Sequence, residues 1–241
     1  MAFSSWRGLV GIIKPTMRPG GLEDMIRIMP EGIGIIPLFN DIRRGDQSEF
    51  KDIMSQYEDK IEVLAEQDCD IIHPEGAPPF MMLGVDGEAK QIQVWEERYK
   101  KPIFTSSTNH VAALKALNAK KIVGVSYFRG EINNIFAEYF RNSGFDILAF
   151  EGMDVDFDAV QNLAPHQVYA FIKNLVLKNG KVDAIYMLGT GWKALGIIEL
   201  LEQDLELPVV HPVVARVWEI QKRLKIKELK KGYGKLLAEL P

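Results

Sequence analysis

Asp183-Ala184-Ile185-Tyr186-Met187-Leu188-Gly189-Thr190-Gly191-Trp192 reads as a buried strand running into a glycine-bearing loop and then a helix. An earlier stretch, Asp70-Ile71-Ile72-His73-Pro74-Glu75-Gly76-Ala77-Pro78-Pro79, has the same build. In each, an Asp precedes an apolar run and a Gly stands six positions after that Asp. Leu-Gly closes each unit soon after, at Leu83-Gly84 and Leu195-Gly196. Such a repeat predicts two similar lobes related by a pseudo-twofold axis. Ligands of open α/β sheets bind beyond the carboxyl ends of the strands, so the two loops are expected to face each other across one cleft. The plainer alternative is a pair of ordinary connections with Gly at tight turns. Gly189-Thr190-Gly191 is the stronger half, because uncovered N–H groups at a helix start suit an anionic group such as a carboxylate.

Outward from these stretches, short β-rich runs alternate with longer segments of helical period, the pattern of an α/β fold with parallel strands. The expected strands are Leu9–Ile13, Gly34–Pro37, Asp70–His73, Pro102–Thr105, Lys121–Ser126, Phe145–Phe150, Asp183–Leu188 and Pro208–His211. Helices are expected over Ser48–Glu66, from a cap at Ser107 or Thr108 to Leu117, and over Glu131–Asn142, Pro165–Lys178, Trp192–Leu205 and Val214–Arg223. Each lobe is then a small parallel sheet flanked by helices. The first spans 1–100, with a C-terminal helix in 214–241 packing back onto it, and the second spans 101–213.

With 47% apolar residues among 241, the chain can build a substantial core. A net charge of −4 argues against nucleic acid as a partner, since phosphate binding wants a basic face. The one strongly basic stretch, Arg216 to Lys235, fits a helical tail with a solvated face or a contact in a homo-oligomer. No apolar run approaches the roughly 18–20 residues that cross a bilayer. Met1 to Ile13 lacks the apolar core of a signal peptide. The expectation is a cytoplasmic chain without a membrane partner. The single cysteine, Cys69, excludes an internal disulfide and a multi-cysteine metal site.

His73 and Glu75 stand two apart at a strand end and so project to one side. Next to the cleft they would form a general base and its orienter; the bland alternative is a polar strand end facing water. His211 ends the last strand and is a further candidate to reach the cleft. A metal site would need His73, His211 and Glu75 to converge, and none is expected. His110 and His166 lie at helix starts and read as caps or surface residues. Trp192 and Lys193 would wall the pocket, although a Trp in a first helical turn is usually packing.

Several ordered segments resemble the Asp/Glu racemase superfamily, in its branch of maleate cis–trans isomerases and arylmalonate decarboxylases. They are Gly11-Ile12-Ile13-Lys14-Pro15-Thr16; Gly76-Ala77-Pro78-Pro79; Ser107-Thr108 ahead of Ala113–Leu117; Ser126-Tyr127 followed by Asn133 or Asn134; Gly189-Thr190-Gly191; and Pro208-Val209-Val210 with Trp218 ten residues beyond Pro208. The resemblance implies two lobes with the site between them and cofactor-independent chemistry on a small carboxylate. It also implies that Tyr127 donates to a substrate carboxylate, that Thr190 and the Gly191 amide complete an oxyanion pocket, and that Asn133 or Asn134 orients the loop. The isomerases place one cysteine in each lobe and the decarboxylases keep the second. Those positions fall here at Gly76 and Gly189, so the resemblance implies the scaffold without its thiols. Lys14 departs from the family pattern and is a candidate cation for a carboxylate. The functional expectation is an isomerase or decarboxylase with an enolate-like intermediate. Its rivals are a carboxylate-binding sensor and a hydrolase using water activated by His73 and Glu75.

Overall fold

The computed structural model describes residues 3–240; Met1, Ala2 and Pro241, at the outer limits of the two expected lobes, lie outside the described residues. The first sheet holds β1 (Gly8–Lys14), β2 (Ile33–Phe39) and β3 (Ile71–Pro74). The second holds β4 (Lys121–Ser126), β5 (Asp146–Gly152), β6 (Ala184–Met187) and β7 (Val209–Val210). All pairings are parallel, in the orders β2-β1-β3 and β5-β4-β6-β7. Each sheet therefore places its second strand, then its first, then its third, which is the repeat expected from the two Asp-led stretches. The strands β1, β3, β4 and β6 are buried nearly throughout, while β2 at one edge of the first sheet is half-buried along its whole length. Strands covered on both faces are built from near-continuous apolar runs, as these are.

The helices of the first half are α1 (Gly20–Ile28), α2 (Gln47–Asp52), α3 (Met54–Glu66), α4 (Ala77–Met81), α5 (Gly84–Tyr99) and α6 (Ser106–Ala116). Those of the second are α7 (Ile132–Asn142), α8 (Pro165–Lys178), α9 (Ile198–Leu205), α10 (Pro212–Arg223) and α11 (Lys235–Glu239). In α7 the residues Ile132, Phe136 and Phe140 repeat every four positions and are buried, an apolar stripe that lays the helix on its sheet. Among the described residues no helix is long and apolar enough to cross a membrane.

Several expectations need correction. The single helix over Ser48–Glu66 is two, separated at Ile53 (φ −78°, ψ −16°). The cap of α6 is Thr105, in extended conformation and with a reciprocal bond to Thr108, rather than Ser107 or Thr108. Pro102–Thr105 makes one bridge, Ile103 to Ile72, at the edge of the first sheet. Residues 190–193 are bends leading to a short 3₁₀ turn (Leu195–Ile197), so the helix begins at Ile198 instead of Trp192. The basic stretch Arg216 to Lys235 is not one helical tail: α10 stops at Arg223 and α11 begins only at Lys235. Nor is the start of the basic stretch solvated, because Pro212 through Gln221 are all buried.

Two helices tie the halves together. After the Ile103 bridge, α6 packs on α10, and His110 of α6 hydrogen-bonds Tyr186 of β6 at 2.9 Å. After β7, α10 packs on α1, and its Arg216 reaches Glu75 beyond β3. Each sheet thus sends a following helix against the other half.

Candidate active site

The carboxyl ends of β1, β3, β4 and β6 open into one cleft with an empty volume of about 660 Å³, including its open mouth. Lys14 and Glu75-Gly76-Ala77-Pro78 line one side; Tyr127 and Gly189-Thr190-Gly191 line the other. The two glycine loops therefore share one hollow, and Thr190 Oγ1 donates across it to Glu75 Oε1 at 3.2 Å.

Glu75 stands at the centre of the charge arrangement. The ladder continues one residue past β3, with Glu75 N–H donating to Ile13 O at 2.8 Å, and Tyr57 hydroxyl donates to the Glu75 carbonyl. This backbone grip aims the carboxylate at Arg216, whose Nη2 lies 2.8 Å from Oε1; the side chains are 3% and 1% exposed. Burial alone would raise the Glu75 pKa, but Arg216 and then Lys14 overcome it and hold the carboxyl below its usual range. Lys14, at the end of β1, is 2% exposed. Its pKa is lowered, first by burial and then by Arg216 and Arg18, against an opposing pull from Glu75. Arg216 pairs with the one carboxylate of the lining, and Arg18 lines the same cleft, which leaves an excess positive charge in its wall without counting Lys14.

Tyr127 follows β4 and is 6% exposed. Its hydroxyl accepts from Gly191 N–H at 3.2 Å, and Trp192 meets its ring edge-on at 5.2 Å. Trp192 Nε1 donates to Gly189 O at 3.0 Å, bracing the loop from behind. Burial raises the Tyr127 pKa to about 12, so the phenol keeps its proton at neutral pH and has it to donate. Gly189 has φ +97°, and a Cβ there would lie 2.4 Å from the Tyr127 ring. The ring occupies the space that a side chain at 189 would need. Gly76, at φ +112°, caps α4 and donates its N–H to Ser106 Oγ at 3.1 Å.

The loop after β6 does not open a helix, so no helix dipole reinforces Gly189-Thr190-Gly191. Other candidates are also redirected. His73 Nδ1 donates to Phe104 O at 2.8 Å, and its ring stacks on Phe104 at 4.3 Å; Nε2 faces Ser106 Oγ at 3.5 Å. It shares no hydrogen bond with Glu75 and does not line the cleft, so the expected base–orienter pair is not formed. Burial and Arg216 keep its pKa well below the ordinary value. His211 caps α10, accepting from Val213 N–H at 3.3 Å, and also stays out of the cleft; burial and Arg216 depress it to about 3. Asn133 spends its amide on Ser126, Phe128 and Gly130, which makes it a brace of the Tyr127 loop rather than a group facing a guest. Asn134 lies on the surface against Glu131. Lys193 and His166 are exposed. No three His, Cys, Asp or Glu side chains converge as metal ligands among the described residues. Cys69 is buried between α3 and β3, at the end of the strand opposite the cleft, and burial raises its thiol to about 11.

Sequence reasoning missed Arg216, Arg18, Ser106 and His110, all of which line the cleft. Arg216 did carry a signal. Val213-Val214-Ala215-Arg216-Val217-Trp218 is apolar on nearly every side, and a helix of that kind is buried, so its one cation must be paired.

The fold has known counterparts. A crystal structure of a variant of the maleate isomerase Iso from Pseudomonas putida with maleate superposes with a TM-score of 0.89 at 18% identity, covering 97% of this chain and 98% of that one. A crystal structure of arylmalonate decarboxylase superposes at 0.80 with 17% identity, covering 96% and 99%. At such identities the likeness is one of fold. The maleate isomerase of Geobacillus stearothermophilus is 25% identical over 139 residues, 57% of this chain, and the match spans about half the length of that relative, 55%. The family model described as arylmalonate decarboxylase matches residues 25–237, most of the chain, and the protein accordingly belongs to the arylmalonate decarboxylase family.

Proposed function

We propose that this protein is an enzyme that acts on a small carboxylate, as an isomerase or decarboxylase, through an enolate-like intermediate and without a cofactor or a catalytic thiol. The observation that carries the reading is the excess positive charge of the cleft wall, where the guanidinium groups of Arg18 and Arg216 line the hollow with Glu75 as its one carboxylate. A buried charge without a counter-ion is costly, and an anionic guest supplies one. The Tyr127 proton and the Ala77 amide face the hollow where negative charge would develop, and donors fixed in a water-poor site stabilise it without reorganising. The only cysteine lies outside the cleft, which supports chemistry without a thiol.

The test is turnover of maleate, phenylmalonate and aspartate followed by NMR, with binding measured by calorimetry. Turnover of at least one acid is expected, with a loss of about 100- to 1000-fold in kcat for Tyr127→Phe, the usual cost of one oxyanion donor. Neither binding nor turnover of any carboxylate would overturn the reading. A sensor that binds without reacting is the second reading. It is favoured by the Tyr127 ring lying where a side chain at 189 would stand, and binding without product would establish it.

A further inference from the structure

We infer that Lys14 is a nucleophilic amine and that the cleft takes a small carboxylate bearing a carbonyl group, an oxo acid, held as a Schiff base. This rests on the carboxylate reading above and narrows its substrate class. One oxygen of Glu75, Oε1, is engaged by both Arg216 and Thr190, whereas Oε2 is buried without a hydrogen-bond partner and makes no contact with Lys14 Nζ. Lys14 lines the same cleft, is almost fully buried, and its Nζ has no hydrogen-bond or ion-pair partner among the described residues. An ammonium there would be desolvated and near the Arg216 guanidinium, with no ion-pair contact to either Glu75 oxygen to offset the cost. Both effects favour the neutral amine, whose lone pair is the nucleophile. The lowered pKa of Lys14 agrees with that placement. Its backbone is rigid, on the central strand of the first sheet, with its carbonyl accepting from Asn40 N–H at 2.7 Å. Opposite lies the Tyr127 hydroxyl, which accepts from Gly191 N–H and keeps its own proton for the carboxylate of the same guest.

The chemistry balances. The Nζ lone pair forms a C–N bond to the carbonyl carbon, and the carbonyl π pair moves to oxygen, which is protonated. Loss of that oxygen as water, with net uptake of one proton from solvent, leaves an iminium ion. For a 3-oxo acid the bond to the carboxylate carbon then breaks. Its electron pair flows toward the iminium nitrogen, CO2 leaves and an enamine remains. The enamine carbon takes a proton, and water hydrolyses the resulting iminium to release the ketone and the amine and return a proton. One proton is consumed for each CO2 released.

Borohydride trapping tests this on the full-length protein. Pyruvate, oxaloacetate and acetoacetate are each added with sodium borohydride, which delivers hydride to the iminium carbon and makes the C–N bond permanent; intact mass and peptide mapping follow. The expected result is one adduct per chain on the Lys14 peptide with at least one probe, falling to background in Lys14→Arg. Should that variant fail to fold, the mapped position in the wild type decides. No adduct at Lys14 with any probe, or adducts spread over exposed lysines, would overturn the inference. Maleate and phenylmalonate, which carry no ketone, separate the two failures. If either binds or turns over while no oxo acid is trapped, the carboxylate reading stands and the Schiff base falls; if neither does, both fall.

Discussion

Arg216 and Glu75 form the most consequential side-chain pair in the molecule, because neither can reach water when the other is removed. Breaking a buried ion pair from one side costs roughly 3–5 kcal/mol, so Arg216→Met is expected to lower unfolding free energy by about that much in urea titration. The double variant Arg216→Met, Glu75→Gln is expected to recover part of the loss. The pH dependence has a definite sign. The folded Glu75 carboxyl lies below its ordinary value, so its contribution is present above the unfolded carboxylate pKa of about 4.3 and is lost as pH falls through the folded value. Arg216→Met removes the main cation, burial then raises the Glu75 pKa, and the variant's deficit should narrow as acid protonates that carboxyl. A deficit independent of pH would show that Glu75 is not the group left stranded. Gly189 offers a second residue-scale test. Its φ of +97° and the 2.4 Å approach to Tyr127 leave no room for a methyl group. Gly189→Ala is expected to cost about 1–3 kcal/mol by overpacking and to disturb the near-ultraviolet signal of Tyr127 and Trp192.

Among the elements, α5, α6 and α7 meet around one carboxyl group. Glu88 of α5 accepts from Thr105 and Ser107 at the start of α6 and from Tyr139 of α7, and is fully buried. Burial raises its pKa, against the lowering effect of those three hydroxyls. For an acid whose folded pKa lies above its unfolded one, stability falls as pH rises from the unfolded value to the folded value. Glu88→Gln, which cannot ionise, should therefore gain on the wild type through that window in denaturation curves taken at successive pH values. Glu88→Ala strands the Ser107 and Tyr139 hydroxyls, while Thr105 keeps Thr108; at about 1–3 kcal/mol for each one left buried and unpaired, it should be destabilised at every pH. This network also marks the limit of what the sequence displays. The strands were legible because buried parallel strands are apolar runs, and the paired loops because Gly76 and Gly189 repeat one spacing. Helix α5 was not: its interior face includes Glu88 beside Trp95, and a buried carboxyl breaks the apolar stripe by which a helix is recognised. His73 and His211 read as cleft residues because their partners, the Phe104 carbonyl and the Val213 amide, are main-chain groups that leave no trace in side-chain spacing.

For the molecule as a whole, the exchange of α6 and α10 between the halves makes folding and site formation one event. Helix α10 carries Val213, Val214, Val217, Trp218 and Ile220 into the interior and delivers Arg216 to a carboxylate of the other sheet. At roughly 1.5–3 kcal/mol for each buried apolar side chain, those five contribute about 8–15 kcal/mol, comparable with the entire net stability of about 5–15 kcal/mol typical of a folded protein. A chain ending at His211 would retain both sheets and both glycine loops, yet it should not hold them in place. It is expected to bind an apolar dye, keep much of its far-ultraviolet signal and lose the near-ultraviolet one, as a collapsed chain without fixed packing does. Full-length protein should unfold in a single transition detected alike by Trp192, next to the second loop, and by Trp95, in the first half. Two separated transitions, or a shortened chain that melts cooperatively at the full-length midpoint, would show that the halves stand independently and that α10 merely rests on a site already built.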